Sequence, residues 1–310
     1  ALLLVLVVVA FIAGVIFLDE EKLSTVTHQR QPFDWLGAAL SVPAVVLLVV
    51  VINNPLDLAW SSLPTLALIV AIVVLFTAFI RWELRSAAPM FDLRFFKIRV
   101  FALGVAARFV GFMAATTIYF LMPIFVISFR QMSEGRAGTV LFLNSVGLGV
   151  MAQIGGRLSD RVGTRPFMLV GFTIMGATSV VFAGMDEQTS FWVIAVTGLA
   201  NGIGVGSWNP PNNATIIGSV SSAAYGVVGA FTNLTRNVGS VFGQAAIAAV
   251  VTWIMVGQGF DVPLGEIGDS VGSRLAFVDG WRAAYLLAAG ASAVGFVLAF
   301  VTRPAREPSP

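Results

Sequence analysis

Nine long apolar segments constrain this chain more than any other feature of its sequence. Most approach or exceed the roughly 20 apolar residues that an α-helix needs to cross a bilayer. Because backbone polar groups in hydrocarbon must be satisfied within the protein, and the segments lack the alternation of barrel strands, each is predicted to be a helix. The sequence therefore predicts an all-α, polytopic membrane helix bundle. The segments are residues 1–18, 35–53, 61–81, 100–128, 137–154, 166–185, 191–218, 224–256 and 281–302.

The composition argues against several other classes of protein. Only 11% of the residues are charged and the mean hydropathy is +0.90, whereas soluble domains carry about 25% charged residues. The formal net charge of +2 is too small to indicate a nucleic-acid partner. Cysteine is absent, and the predicted spans contain no Ser-His pair and no cluster of His, Asp and Glu. We therefore expect no cofactor, no metal site and no enzyme activity.

The distribution of Lys and Arg predicts the orientation of the spans. If the first span enters from outside, twelve of the 18 basic residues fall on the inner side, four on the outer side and two within spans. Loops rich in Lys and Arg remain in the cytoplasm. We expect a multi-pass protein of the cell membrane whose tail, residues 303–310, is cytoplasmic.

The acidic residues are absent from the predicted membrane interior. All 16 Asp and Glu residues fall in predicted loops or at the ends of spans. Carboxylates inside the membrane are the usual proton relays of pumps and transporters. If the protein moves protons, the carboxylate that carries them is expected to lie outside these 310 residues.

A dense block of charge, "GGRLSDRVGTRP" at residues 155–166, separates the fifth and sixth spans. Gly155 and Gly156 have no Cβ, so they are expected to end the preceding helix with a tight exit. The stretch Gly163–Pro166 is expected to form the turn into the next helix, which tolerates proline in its first turn.

The charges of this block suggest a conformational latch. Asp160 can accept hydrogen bonds from helix N-termini or from an arginine. Arg161 and Arg165 can reach carboxylates on an adjacent helix, so the block would hold one conformation and release in another. The alternative is that these arginines only anchor the loop in the cytoplasm.

The block resembles the signature loop of the major facilitator superfamily, which joins two spans in the cytoplasm. Thr164 departs from the pattern at the first of two positions that are usually basic. The resemblance implies the major facilitator fold, in which two six-helix halves bind substrate between them near the bilayer midplane. The matching positions are Gly156, Leu158, Asp160, Arg161, Gly163 and Arg165.

Further stretches resemble the drug:proton antiporter branch of that superfamily that has fourteen helices, the EmrB/QacA-like group. "YGVVGAFTNLTRNVGSVFGQAAIAAV" is similar to a late glycine-rich helix of that branch, and "GWRAAYLL" to the start of its last helix. Residues 88–96 resemble the segment that precedes the fourth span. The matching positions in the glycine-rich helix are Gly229, Asn233, Arg236, Gly239 and Gly243.

The resemblance implies a division of the chain into four parts. Residues 1–18 would be the last helix of a truncated first half, and residues 19–99 a cytoplasmic loop with two linker transmembrane helices. Residues 100–302 would form the C-terminal six-helix half, followed by the tail at 303–310. About five helices would then precede the chain, which makes the missing N-terminal half an expected partner.

Five polar residues within the spans are candidates for a cavity or for the interface between halves. Arg236 lies about twelve residues into its span, roughly 18 Å along a helix, where a charge normally faces a cavity or a partner. The alternative for Arg236 is a structural tie to backbone carbonyls. Arg108 lies nearer the cytoplasmic edge and can instead extend its charge to the interface. The candidates are Arg108, Asn209, Asn213, Asn233 and Arg236.

Prolines and glycines in the same spans predict two further features. Pro210 and Pro211 are expected to break the helix ladder and free carbonyls that line a cavity or form a hinge. Glycines spaced by four residues predict faces for close helix packing. These glycines are Gly198, Gly202, Gly206, Gly239 and Gly243.

The resemblance implies a secondary transporter: a proton-coupled exporter of small hydrophobic or cationic substrates that works by alternating access. Without its first half the chain is not expected to transport. Two alternatives stay open. One is a metabolite transporter of the same superfamily, which the acid-free spans permit, and the other is a non-transporting membrane partner or sensor. The expected partners are the lipid bilayer, the substrate, the proton and the missing half.

Overall fold

The computed structural model describes residues 34–53, 62–86, 92–264, 267 and 270–302. Every regular element in this part of the chain is helical, as the sequence predicts. Two short 3-10 helices at Leu93–Lys97 and Ser222–Ala224, and a π-helical turn at Ile124–Phe129, supplement the α-helices. The α-helices are α1 (Trp35–Asn53), α2 (Leu63–Glu83), α3 (Arg99–Pro123), α4 (Glu134–Val162), α5 (Thr164–Ala183), α6 (Phe191–Ile217), α7 (Tyr225–Gly257) and α8 (Val271–Val301).

Seven helices of the described residues, α2 to α8, are long and apolar enough to cross a membrane. The apolar part of α1, Trp35–Val51, is shorter. The first predicted span, residues 1–18, and the tail lie outside the described residues. The chain is therefore a multi-pass membrane protein, and eight of its nine predicted spans correspond to helices.

The last helix begins earlier than the sequence predicts. α8 starts at Val271 rather than at residue 281, and the Ser270 side chain caps it by accepting a hydrogen bond from the Ser273 N–H at 3.1 Å. The segment between the eighth and ninth predicted spans, residues 257–280, is therefore helical in its second part, where Ala276 and Phe277 are fully buried. Charged residues lower the hydropathy of these turns, but the inward face of the helix is apolar.

An aromatic cluster holds one end of the bundle together. The Phe125 and Trp281 rings stack with centroids 4.2 Å apart, and Phe125 also stacks on Phe129. The Trp281 indole N–H donates to the carbonyl oxygen of Phe182 at 2.6 Å. The cluster thus joins the end of α3 and its π-helical turn to α5 and α8.

Glycines on α6 permit its close contact with α4, as predicted from their spacing. A Cβ at Gly202 would lie 1.9 Å from the carbonyl oxygen of Asn144, so no side chain fits there. The neighbouring glycines one turn away contact the same face of α4. The contacts are Gly198 on Val140, Gly202 on Asn144 and Gly206 on Leu148.

The same arrangement joins α7 to α3. A Cβ at Gly239 would lie 2.7 Å from the carbonyl oxygen of Phe109, and one at Gly243 would lie 2.6 Å from that of Met113. This confirms the second predicted glycine face. Because α4 packs chiefly on α6 and α7 chiefly on α3, the outer faces of α4 and α7 are left open in the described bundle.

Candidate functional site

Arg108 joins three helices from the interior of the bundle. Only 5% of its surface is exposed. Its Nε donates to the carbonyl oxygen of Thr232 on α7 at 2.8 Å, and its Nη1 donates to Oδ1 of Asn209 on α6 at 3.1 Å. Its guanidinium also lies 5.1 Å from the centre of the Phe112 ring. A desolvated charge is costly, and these acceptors offset part of that cost.

The expectation that Arg108 extends to the membrane surface is therefore wrong. Sequence position alone suggested that interpretation, because Arg108 is only ten residues into α3. The side chain points inward because Thr232 and Asn209 offer it acceptors there. Arg108 thus forms a structural tie to a backbone carbonyl, that of Thr232. This is the role that the sequence offered as the alternative for Arg236.

Arg236 and Asn233 lie on the open face of α7. Both are exposed. Asn233 donates to the carbonyl oxygen of Gly229 in its own helix at 3.1 Å. Among the described residues no carboxylate pairs with Arg236. A charge held at this depth in a membrane helix needs a water-filled cavity or a protein partner.

The polar residues of this face form a stripe that the sequence reading did not recognise. Its positions follow the α-helical repeat, so the residues lie one above another along α7. At the end of the stripe Gln244 donates to the hydroxyl of Thr116 on α3 at 3.1 Å. We call these residues the α7 polar stripe: Asn233, Arg236, Asn237, Ser240 and Gln244. Their spacing of three or four residues was the signal in the sequence.

A second feature missed from the sequence is a buried chain of polar side chains across four helices. The Tyr119 hydroxyl on α3 lies 2.8 Å from Oδ1 of Asn144 on α4. Nδ2 of Asn144 donates to Oδ1 of Asn201 on α6 at 3.2 Å and to the Gly198 carbonyl at 3.0 Å. Asn201 in turn donates to Thr178 on α5 at 3.1 Å.

One end of this polar chain reaches the surface of the bundle. Asn144 is fully buried, whereas Tyr119 is 42% exposed. Hydrogen bonds therefore connect the partly exposed Tyr119 to buried side chains of α4, α6 and α5. The pattern of charged residues in the sequence does not reveal this polar chain, because none of its residues is ionised.

The prolines of α6 do not interrupt it. The helix continues through Pro210 and Pro211, so the predicted break is confined to the hydrogen-bond ladder. Proline still removes two N–H donors, which leaves the carbonyls of Gly206 and Ser207 without those helical partners. These carbonyl oxygens lie 3.5 and 3.8 Å from the place of a Cβ on Gly155. α4 therefore packs over the two carbonyls that lack helical partners.

The other asparagines of this segment differ in their surroundings. Asn209 accepts from Arg108. Asn212 is fully buried and donates to the Gly104 carbonyl at 3.0 Å. Asn213 is half-buried. The structure thus brings Asn209 to Arg108, whereas Arg236 and Asn233 lie exposed on α7.

The signature segment is a helix end and not a loop. α4 continues to Val162, so the prediction that it ends at Gly155 and Gly156 is wrong. Gly155 is buried against α6 instead. The break falls at Gly163, whose φ of 95° and ψ of 154° suit glycine alone. One non-helical residue therefore joins α4 to α5.

The signature side chains point in different directions. Leu158, Asp160 and Arg161 are exposed on the open side of α4, and neither Asp160 nor Arg161 pairs with an opposite charge among the described residues. The latch therefore stays a prediction. Thr164, at the position that departs from the family pattern, instead accepts a hydrogen bond from the Thr215 hydroxyl on α6 at 2.8 Å.

Arg165 turns away from the open face. Its Nη2 donates to the carbonyl oxygen of Phe300 at the end of α8. The guanidinium lies 4.8 Å from the centre of the Phe300 ring. Its contacts within the described residues are thus to a carbonyl and a ring rather than to the carboxylate that the sequence suggested.

A polar clasp connects the helix ends on the opposite side of the bundle. Arg130 donates to the carbonyl oxygens of Asp186 and Thr189, at 3.2 and 2.6 Å, and Arg274 pairs with Glu187 at 2.5 Å. A hydrogen bond from the Thr189 hydroxyl holds the pKa of Asp186 below its usual value. Partial burial lowers the pKa of Arg130.

Together these features define a membrane helix bundle with two open helical faces, one of them polar. The family model of the Major Facilitator Superfamily matches residues 1–243 and 104–310. The chain belongs to this superfamily, as its signature segment suggested, and the superfamily consists of transporters rather than enzymes.

Several curated relatives are similar at low identity. The riboflavin transporter RibZ of Clostridioides difficile is 24% identical over 238 residues, which cover 77% of this chain and 50% of RibZ. The multidrug resistance protein Stp of Mycobacterium tuberculosis is 25% identical over 228 residues, covering 73% and 42%. The lincomycin resistance protein LmrB of Listeria monocytogenes is 24% identical over 245 residues, covering 79% and 51%. The chain spans about half the length of the curated relatives it matches.

Proposed function

We propose that the chain is the C-terminal part of a secondary active exporter of the drug:proton antiporter branch with fourteen helices. In this proposal α3 to α8 form the second six-helix half, and α1 and α2 are linker helices. Substrate, a small hydrophobic or cationic molecule, binds between this half and the missing first half. The two halves rock about that site, and proton entry drives substrate out.

The α7 polar stripe carries the proposal. It places Asn233, Arg236 and Asn237 on an open face of a helix that is otherwise apolar enough to span the membrane. Lipid cannot solvate a guanidinium or amide, so a water-filled cavity or a facing protein surface must do so. A substrate pathway between two halves supplies a water-filled cavity when it is open and a facing protein surface when it is closed.

Tyr119 extends this wall onto α3. Its ring is exposed while its hydroxyl is bonded to Asn144, and an aromatic face suits cationic and planar apolar substrates. The buried polar chain behind Tyr119 fixes the ring. We therefore assign the substrate-facing wall of this half to Tyr119 and the α7 polar stripe.

Proton coupling is assigned to the missing half. Among the described residues of α7 there is no Asp or Glu, and Arg236 has no acidic partner there. A carboxylate on a facing helix would pair with Arg236 in one conformation and take up a proton in another. The signature residues Asp160 and Arg161 are exposed on the open side of α4, and in this proposal they form the latch with the missing half.

We propose the cell membrane as the location, with the signature segment and the C-terminus on the cytoplasmic side. The excess of Lys and Arg in the predicted inner loops supports this orientation. A cysteine introduced after Thr302 should then resist a membrane-impermeant maleimide in intact cells and react after permeabilisation. Labelling in intact cells would contradict the orientation.

A metabolite transporter is the second candidate. The similarity to RibZ, named a riboflavin transporter, supports it. The two functions share a fold and differ in substrate, so the same full-length protein can be assayed for efflux of ethidium and for movement of riboflavin.

The first experiment is to sequence the gene upstream of the Ala1 codon. Five further apolar spans in frame, with an Asp or Glu in one of them, would support the proposal. A start codon directly upstream, with no further span, would contradict it. Ethidium efflux by the full-length protein should then stop on adding a protonophore, and efflux that persists would exclude proton coupling.

Substitutions in the stripe test the site separately. Arg236→Gln should reduce efflux at least about tenfold, the effect of 1.4 kcal/mol on a rate, with no change in protein abundance. Arg282→Gln, an exposed arginine on α8, is the matched control. Equal efflux by both variants would remove the stripe from the substrate pathway.

A further inference from the structure

A cavity of about 420 Å³ lies where α3 and α5 begin and α8 ends. Arg99 on α3 and Arg165 on α5 line it together. Its remaining walls are the apolar or small side chains of Val100, Leu103 and Phe300, with their neighbours at the end of α8. No Asp or Glu from the described residues lines it.

The two arginines have unused hydrogen-bond donors at this cavity. A guanidinium carries five N–H donors, and Arg165 uses one of its nitrogens on the Phe300 carbonyl. Its Nε is buried without an acceptor among the described residues. Arg99 is exposed and makes no side-chain hydrogen bond or ion pair in that part of the chain. A buried donor such as the Arg165 Nε normally has a partner.

The backbone adds further donors. α3 begins at Arg99, and Ile98 before it supplies no side-chain cap. The first N–H groups of a helix have no partner within the helix, and they favour an anion. Arg99 and Val100, the first two residues of α3, both line the cavity. Two like charges and a helix N-terminus at one cavity repel each other unless an anion lies between them.

The surface next to the cavity is apolar. Between residues 283 and 301 every exposed residue of α8 is apolar or glycine. Val294 and Val297 are about half exposed, and Phe300 at the cavity edge is 56% exposed. This apolar face of α8 ends at the cavity that Arg99 and Arg165 line.

We propose that this cavity binds the phosphate of a phospholipid headgroup, with Arg99 and Arg165 as its ligands and the outer face of α8 as the seat of an acyl chain. Basic pockets between membrane helices recognise anionic headgroups in this way. The bound lipid neutralises the two arginines and links the beginnings of α3 and α5 to the end of α8.

The test uses the full-length protein, purified in detergent and stripped of lipid. Binding of dioctanoyl phosphatidylglycerol is measured by native mass spectrometry, beside dioctanoylglycerol, which lacks the phosphate. We expect the phospholipid to bind and the diacylglycerol not to bind. Arg99→Gln and Arg165→Gln should each weaken phospholipid binding about fivefold, the loss expected for one arginine near a headgroup.

Arg157→Gln is the matched control, since Arg157 is exposed at the same end of the bundle but lies outside the cavity. It should bind the phospholipid as the wild type does. If Arg165→Gln fails to fold because its tie to Phe300 is lost, Arg99→Gln carries the test. Unchanged binding by Arg99→Gln, or equal binding of the diacylglycerol, would overturn the proposal.

Inorganic phosphate distinguishes a lipid from a soluble anion. It should not displace the phospholipid at millimolar concentration, because it gains nothing from the apolar face of α8. If inorganic phosphate binds in an Arg99-dependent manner and the phospholipid does not, the cavity is a site for soluble anions and the lipid proposal is wrong.

Discussion

The guanidinium of Arg108 donates a 2.8 Å hydrogen bond to the backbone carbonyl of Thr232, so a charge on α3 is bonded to the first third of α7. The second bond of Arg108, to Asn209, extends the connection to α6. Any shift of α7 along α3 would break the first bond within the membrane, where replacing it is costly. Arg108 therefore holds α7, with its polar stripe, in a defined register.

Loss of the Asn209 side chain should weaken this tie. Asn209→Ala removes the acceptor of the Arg108 Nη1 group, and we expect the free energy of unfolding to fall by about 1 kcal/mol, within the range for polar contacts in membranes. Unfolding by SDS in mixed micelles gives the value. Asn213→Ala, four residues further along α6, should have a smaller effect. Equal effects would mean that the bond to Arg108 contributes nothing.

The close approach of α4 and α6 makes a sharp distinction between two glycines of α4. A Cβ at Gly147 would lie 2.4 Å from the carbonyl oxygen of Leu199, whereas one at Gly149 meets nothing within 4 Å. We expect Gly147→Ala to destabilise the protein by about 1–3 kcal/mol through overpacking. Gly149→Ala should be neutral or slightly stabilising. Thermal unfolding in detergent measures both, and a stable Gly147→Ala variant would contradict the packing.

The buried polar chain predicts coupling between Tyr119 and Asn144. Tyr119→Phe and Asn144→Ala each remove one side of a 2.8 Å hydrogen bond. Their combined effect on the free energy of unfolding should therefore be smaller than the sum, with a coupling of about 0.5–1.5 kcal/mol. Tyr225→Phe, at another half-exposed tyrosine, supplies the control cycle with Asn144→Ala. Additive effects in both cycles would show that the bond is energetically silent.

Substitution of two glycines of the signature segment, Gly156 and Gly163, should affect different properties of the protein. Gly163 has a φ of 95° and joins two helices, so Gly163→Ala should cost about 1–3 kcal/mol of stability through backbone strain. Gly156 lies within α4 and a Cβ there meets nothing within 4 Å. Gly156→Ala should leave stability unchanged and reduce efflux, if a facing half packs on it. Thermal unfolding and efflux, measured on both variants, check this division.

The clasp at the opposite side predicts an acid-sensitive contact. The pKa of Asp186 is lowered by its hydrogen bond from Thr189, so the ionised carboxylate stabilises the folded form. That contribution is complete above the unfolded pKa and is lost as pH falls through the lowered folded value. The melting temperature should thus fall on acidification below about pH 4.

Asp186→Asn removes the titrating group and should flatten this acid dependence. Asp261→Asn, in the next loop on that side, is the control and should keep the wild-type profile. If Asp186→Asn loses stability on acidification as steeply as the wild type, the dependence arises from another carboxylate.

The roles of the two arginines within the helices were predictable only in part. The depth of Arg236 and Arg108 follows from their position in an apolar run, since a helix rises 1.5 Å per residue. Which arginine turns inward depends on acceptors that are distant in the sequence, as Thr232 is from Arg108. No local pattern encodes that pairing.

The sequence by itself determined the membrane-spanning helices and the packing glycines, because hydropathy and a four-residue spacing act within one helix. It also determined the superfamily, through the residues from Gly156 to Arg165. It misplaced the last residue of α4 and the first residue of α8, because tertiary burial stabilised helical turns that hold charged residues. Only the tertiary structure joined Tyr119, Asn144 and Asn201 into one polar chain and placed Arg99 beside Arg165. Such contacts form between different helices, where the free energy depends on distances that one-dimensional order does not specify.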